Sequence, residues 1–326
     1  MIGKWLWKVV VLASIVTVAG CATTTEPPPE PGHIDNSNLP VADLALNIPG
    51  LGPCTDNPDR TLHLDSTQPV VVLAHGCFAS AGRFRSLAQV FAFHGQQSVC
   101  FSYDDRDSLT VSATQLVAAI DELANHMQDR QVTIIGHSQG GLVARNAFTK
   151  ERIQPLVAEL DLRLVTISSP YAGVAAADHC ALPFARAISL GLVIPICKAI
   201  SGNKWYEITY ASDFIREPGI LIGQVDDFLK IVTDERDTCR RYDDKNRCVE
   251  DDFVFSAEEQ YNPAIDNSSR VIPVEIKAGH SEIVGNATVT PDKLITILQQ
   301  QNIMRATPAA RTNALDALLS MLYLTE

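Results

Sequence analysis

A strand that breaks at once into a helix around Gly136-His137-Ser138-Gln139-Gly140 is the feature that most constrains this chain. The apolar run Val132-Thr133-Ile134-Ile135 leads into it. Gly141-Leu142-Val143-Ala144-Arg145-Asn146-Ala147-Phe148 follows, with Leu142, Val143, Ala147 and Phe148 on one helical side. A serine at such a turn is held in a strained backbone conformation. The residues two before and two after it must then be nearly free of side chain. Gly136 and Gly140 meet that demand, and Gly141 lets the helix pack close to the sheet. The turn lifts Ser138 Oγ above the sheet edge. N–H groups at the helix start then face any negative charge that develops there.

The rest of the chain supplies a frame for that turn. Val70-Val71-Val72-Leu73-Ala74 is a continuous apolar run of the fully buried kind, followed by His75-Gly76-Cys77. Ser98–Tyr103, Leu162–Ile167, Phe228–Thr233 and Val271–Ile276 read as further strands. Leu116, Val117, Ile120 and Leu123 fall at helical spacing, and 294–298 reads as a closing helix. Strands alternating with helices, most of them lacking a polar face, predict a mostly parallel sheet covered on both sides.

Three segments make the resemblance specific: the strand running into His75-Gly76, the turn with Gly140-Gly141 after the serine, and Thr166-Ile167-Ser168-Ser169-Pro170-Tyr171-Ala172-Gly173. Together they resemble the α/β-hydrolase fold, and within it the bacterial triacylglycerol lipases and esterases. The third segment is similar to that family's T-x-x-(S/T)-P-(H/Y)-x-G loop. The likeness runs over about residues 65–300 and implies a hydrolase domain over 46–304, with a helical cap inserted at about 174–218 and a C-terminal helical tail over 305–326. Tyr210-Ala211-Ser212-Asp213-Phe214 resembles the family's return from the cap.

Ester hydrolysis by serine needs a base, a carboxylate to hold that base, and two N–H donors for the oxyanion. In this fold the order is serine, acid, histidine. Of the two histidines after Ser138, His179 comes too early, and His280 follows the last strand, where the family carries its base. The acid is expected between the penultimate strand and His280. Asp252 is the first choice, because Asp252-Phe253-Val254-Phe255-Ser256 is nearest to the family's D-G-x-V pattern, with Phe253 in place of the glycine. Asp251, Asp234 and Glu235 are the alternatives. The backbone N–H groups of Gln139 and Cys77 are the expected oxyanion donors, and His75 is given no proton-transfer role.

The resemblance implies a serine ester hydrolase working through an acyl-enzyme, without cofactor or metal. An acyltransferase on the same scaffold and a non-catalytic envelope module are the other readings. Ala181 to Ala199 is strongly apolar and suits an acyl chain or another apolar substrate, or a cap helix packed on the core. A net charge of −12 argues against nucleic acid and anionic membrane surfaces as partners.

The N-terminus reads as a leader. Lys4 and Lys8 precede the apolar stretch Val9–Ala19, which is shorter than the ~20 residues that cross a bilayer. Val18-Ala19-Gly20-Cys21 resembles the lipobox of bacterial lipoproteins, so residues 1–20 are expected to be removed and Cys21 to carry lipid. Ala22 in the next position implies outer-membrane sorting, facing the periplasm. Residues 21–45, rich in Pro and Thr at their start, read as a tether. An exported chain is expected to form disulfides. Cys239 with Cys248 and Cys180 with Cys197 are local pairs, whereas pairing among Cys54, Cys77 and Cys100 stays open. The spacings lack the paired C-x-x-C sets that zinc requires.

Overall fold

The computed structural model describes residues 35–151, 160–177, 197–199 and 201–324. Its strands in chain order are β1 (Leu44–Leu46), β2 (Leu51–Gly52), β3 (Leu62–Leu64), β4 (Val70–Ala74), β5 (Ser98–Phe101) and β6 (Gln131–His137), then β7 (Asp161–Ile167), β8 (Val225–Asp234), β9 (Cys239–Tyr242), β10 (Cys248–Asp251) and β11 (Val271–Lys277). Seven of them form one sheet in the order β11-β8-β7-β6-β4-β5-β2. Every pairing in it is parallel except that of β2 with β5. This is the α/β-hydrolase fold the sequence implied.

β4 shows why the apolar runs make such a sheet. Val70, Val72 and Ala74 face one core and Val71 and Leu73 the other, so alternate side chains serve opposite faces. The first core is closed by α2 (Leu109–His126) and α3 (Gln139–Ala147), through Leu116, Ile120, Leu123, Leu142 and Val143. The second is closed by α1 (Arg85–Phe93) and by the helices Asp292–Gln300 and Thr312–Tyr323. The last of these lies in the segment read as a tail, and it buries Leu315, Leu319 and Tyr323. The Tyr323 ring lies against Gly285, where an added Cβ would come within 2.4 Å of it.

Strand order reverses between β4 and β6, because the chain steps from β4 out to β5 and then returns to the other side. Open α/β sheets bind ligands in the crevice beyond the strand ends at such a point. The loop after β4 carries Cys77 and the turn after β6 carries Ser138, so both face that crevice. The sequence reading did not include α1, the short strands β1 to β3 or the β9–β10 hairpin. The Cys239–Cys248 bridge closes that hairpin, and Cys54 pairs with Cys100. Cys180 lies outside the described residues, as do Cys21 and residues 178–196 of the expected cap.

Candidate active site

The turn between β6 and α3 has the expected strain. Ser138 stands at φ 56° and ψ −123°, a conformation that costs an L-residue energy and persists only where the surroundings enforce it. Those surroundings admit no side chains. A Cβ on Gly136 would lie 2.5 Å from the Gly140 carbonyl carbon, and one on Gly140 would lie 2.2 Å from Ala74 O. The β4 loop passes directly over the serine, where a Cβ on Gly76 would sit 3.0 Å from Ser138 Cβ and 3.5 Å from its Oγ.

Three neighbouring parallel strands end on one cluster. Ser168 is the residue after β7, Glu235 the residue after β8, and His280 lies in the loop after β11. His280 Nδ1 is 2.9 Å from Glu235 Oε1 and 2.9 Å from Ser168 Oγ. Ser168 in turn donates its hydroxyl proton to Glu235 Oε1 at 2.5 Å and accepts from Thr233 Oγ1 at 2.8 Å. The other carboxylate oxygen of Glu235 accepts the N–H groups of Val254 at 2.6 Å and Phe255 at 2.8 Å. Burial alone would push the Glu235 carboxyl up. Hydrogen bonding and charge from His280, with the Ser168 and Phe255 bonds, more than reverse this and hold it below the ordinary carboxylate range.

The imidazole is placed from two further sides. Phe255 packs edge-on at 5.0 Å between ring centroids, and His137, beside Ser138 in the chain, is at 4.7 Å. His137 Nε2 lies 2.9 Å from the His280 carbonyl oxygen. Burial, with the nearby His280 charge, drives the His137 pKa well below its usual value, so its ring is neutral and donates that bond through Nε2–H. Among the described residues no hydrogen bond joins the Ser138 hydroxyl to the His280 ring.

Asp252, the first choice for the acid, is not at the imidazole. Its carboxylate is fully buried and accepts the N–H of Ser281 at 2.9 Å and of Glu282 at 2.8 Å. Arg240 from the β9–β10 hairpin bonds the same group at 3.1 Å through Nε and Nη2. The Asp252 backbone carbonyl accepts the His280 N–H at 2.9 Å, and a Cβ on Gly279 would overlap the Asp252 side chain. Asp252 therefore braces the backbone that carries His280, and the carboxylate on the ring is Glu235, one of the alternatives. Asp251 is exposed at the end of β10, and Asp234 is paired to Arg236 at 2.8 Å, away from the ring.

On the other side of Ser138, Cys77 and Gln139 come together: Cys77 Sγ is 2.8 Å from Gln139 Oε1. The Phe78 N–H is held by Asp105 Oδ2 at 2.6 Å, which fixes the loop just past Cys77. His75 is buried and stacked on Tyr103 at 4.5 Å, with Nδ1 2.9 Å from Gly76 O. His179 lies outside the described residues. The sequence reading gave Ser168 no role. The signal for both Ser168 and Glu235 is positional, since each is the first residue beyond the end of a buried parallel strand.

Residues 69–230 match the family model described as palmitoyl protein thioesterase, a span from β4 into β8 that contains Ser138 and stops short of Glu235 and His280. No curated protein matches the chain. Among solved structures, lipase BlEst2 of Bacillus licheniformis in its propeptide form is similar with a TM-score of 0.51 at 14% identity, over 79% of this chain and 54% of that one. The mature form gives 0.49 at 13% identity, over 78% and 97% of the two chains. A monoacylglycerol lipase of Paleococcus ferrophilus gives 0.47 at 13% identity, over 73% and 96%.

Proposed function

We propose that this chain, a serine hydrolase of the α/β-hydrolase fold that acts on ester bonds and is similar to bacterial lipases and esterases, works through Ser138, His280 and Glu235 by way of an acyl-enzyme. The observation that supports this most directly is the Glu235–His280 contact at 2.9 Å, formed at strand ends beside a serine held at φ 56°. Ser138 Oγ attacks the ester carbonyl while His280 Nε2 takes its proton. Glu235 holds Nδ1–H and stabilises the imidazolium that results. The Cys77 and Gln139 N–H groups, with the start of α3 behind them, receive the oxyanion. His280 then returns the proton to the leaving alcohol, and water repeats the sequence to release the acid. Substrate binding draws the Ser138 hydroxyl and the imidazole into contact, a tightening common at such sites.

The test uses the full chain in detergent with a chain-length series of nitrophenyl esters and a fluorophosphonate label. Turnover, with the label on Ser138, is the expected result; no turnover, or labelling elsewhere, rejects the reading. One observation favours a thioester as a second substrate class, the match to the thioesterase family over 69–230. Running acyl-thioester substrates beside the nitrophenyl esters decides between the two.

The substrate is proposed to be an acyl lipid or similar ester, met at a membrane to which lipid on Cys21 tethers the domain in the cell envelope. Its support is the Val18–Cys21 pattern and the proline-rich stretch after it. Among the described residues no helix is long and apolar enough to cross a membrane.

A further inference from the structure

Lys204 is among the least exposed charged side chains of the protein, at 3%. It stands in the 3₁₀ turn Gly202–Trp205, within the segment that resembles the cap and its return. Its Nζ donates to Gln139 Oε1 at 2.5 Å and to Cys77 Sγ at 3.2 Å. It also donates to the Asp105 backbone carbonyl and lies 3.9 Å from the Asp105 carboxylate. Gln139 Nε2 donates to that same Asp105 carbonyl at 2.9 Å. One ammonium group thus joins the loop after β4, the first residue of α3 and the 104–107 loop.

The turn that carries Lys204 is itself fixed to the 104–107 loop. Asn203 N–H donates to Arg106 O at 2.7 Å, and Asn203 Nδ2 to Asp107 Oδ1 at 3.0 Å. Arg106 Nη2 donates to Ala199 O at 2.7 Å. Gly202 stands at φ 76°, and a Cβ there would overlap Arg106 O. A lysine has a long, flexible stem and three donors, and here Nζ meets three acceptors. A buried ammonium costs desolvation energy unless its donors are satisfied, so the groups it contacts are held as firmly as the charge is.

Resting on the reading that Ser138 is the nucleophile, we propose that Lys204 is a positioning residue that holds the two oxyanion donors, the Cys77 and Gln139 N–H groups, in register over the serine. It touches both residues through their side chains. Its contribution is made in the transition state, because the ester carbonyl in the ground state asks little of those donors. The cap-return segment is thereby coupled to the oxyanion site, and a shift of that segment moves Gln139 and Cys77 with it.

The experiment measures kcat, KM and the inhibition constant of a trifluoromethyl ketone, which Ser138 attacks to form a tetrahedral oxyanion. It compares the full wild-type chain with Lys204→Met, Lys204→Arg and Ser138→Ala. Lys204→Met is expected to lower kcat about ten- to a hundredfold, less than losing an oxyanion donor outright. The ketone should weaken by the same factor, while KM stays within about twofold. Lys204→Arg keeps the charge and should restore part of both losses. If Lys204→Met does not fold, Gln139→Ala breaks the same link from the other side and keeps its N–H; it should show the same paired loss. Unchanged kcat and ketone affinity, or a fall in kcat without a matching fall in ketone affinity, overturns the proposal. Where Ser138→Ala is inactive and Lys204→Met behaves as wild type, the proposal alone fails. Where Ser138→Ala keeps full activity, the underlying reading fails and the proposal with it.

Discussion

Glu235 and His280 lie 45 positions apart in the chain and meet at 2.9 Å between Oε1 and Nδ1. Asp252, much closer to His280 in sequence, contacts the backbone of the loop that bears it and the Arg240 guanidinium. The two carboxylates thus have separable roles, one towards the ring and one towards its support.

Glu235→Gln should lower kcat by about a hundred- to ten-thousandfold while leaving the fold intact, since the amide matches the shape and loses the charge that stabilises the imidazolium. Asp252→Asn should instead reduce stability by about 1–3 kcal/mol, through weakened bonds to Arg240, Ser281 and Glu282. Steady-state kinetics and urea unfolding on both variants check the division. If Asp252→Asn is the more damaging change in kcat and leaves stability untouched, the assignment of the acid is wrong.

Stability should respond to pH through Glu235. Its carboxyl is held below the ordinary range, so the folded protein binds that proton less tightly than the unfolded chain. Its contribution is complete above the unfolded value of about 4.3 and is lost as pH falls through the lower folded value. The gap in unfolding free energy between wild type and Glu235→Gln should therefore shrink as pH is taken below about 4.3. A gap that widens towards acid would contradict the geometry.

Opening the β9–β10 hairpin should reach the site. Cys239→Ser with Cys248→Ser removes a short loop closure that contributes about 2–3 kcal/mol in the chain-entropy treatment. The same change should free Arg240, which the hairpin holds 3.1 Å from Asp252. Lower stability with a lower kcat is expected, measured by thermal unfolding and ester turnover. A fall in stability with kcat intact would show that Arg240 holds its place without the bridge.

Cys21→Ser should release the protein from the membrane fraction. Each buried CH₂ of an acyl chain contributes about 0.8 kcal/mol, and the acidic chain offers no attraction to anionic head groups in its place. Fractionation and immunodetection decide the point; a serine variant that still pellets with membranes removes the anchor from the account.

The frame of the molecule is legible in the sequence because it depends on composition and period. Val70–Ala74 reads as a buried strand, and Gly136, Ser138 and Gly140 between a strand and a helix read as a tight turn, where the structure shows that a Cβ at either glycine would strike backbone. Ser138 and His280 follow from that turn and from the order of the strands. Glu235 was one acid among several, and the patterns that favoured Asp252 said nothing of which carboxylate the sheet twist brings to the ring. Ser168 was hidden for a related reason. Its part is set by contacts with Glu235 and Thr233 at the end of β8 and with His280 after β11, two strand ends other than its own. Helix α1 was missed although Leu87, Val90 and Phe91 have helical spacing, because it lies beside a loop dense in small residues.

Gly285 ends the turn that follows His280, and the ring of Tyr323 is packed on it. The loop that presents the imidazole is therefore supported by a helix made well after it. A chain cut short after His280 would keep Ser138, Glu235 and His280 and lose the ring that packs on Gly285. The last helix, Thr312–Tyr323, thus serves the site from a distance, as the floor under the loop that presents the imidazole.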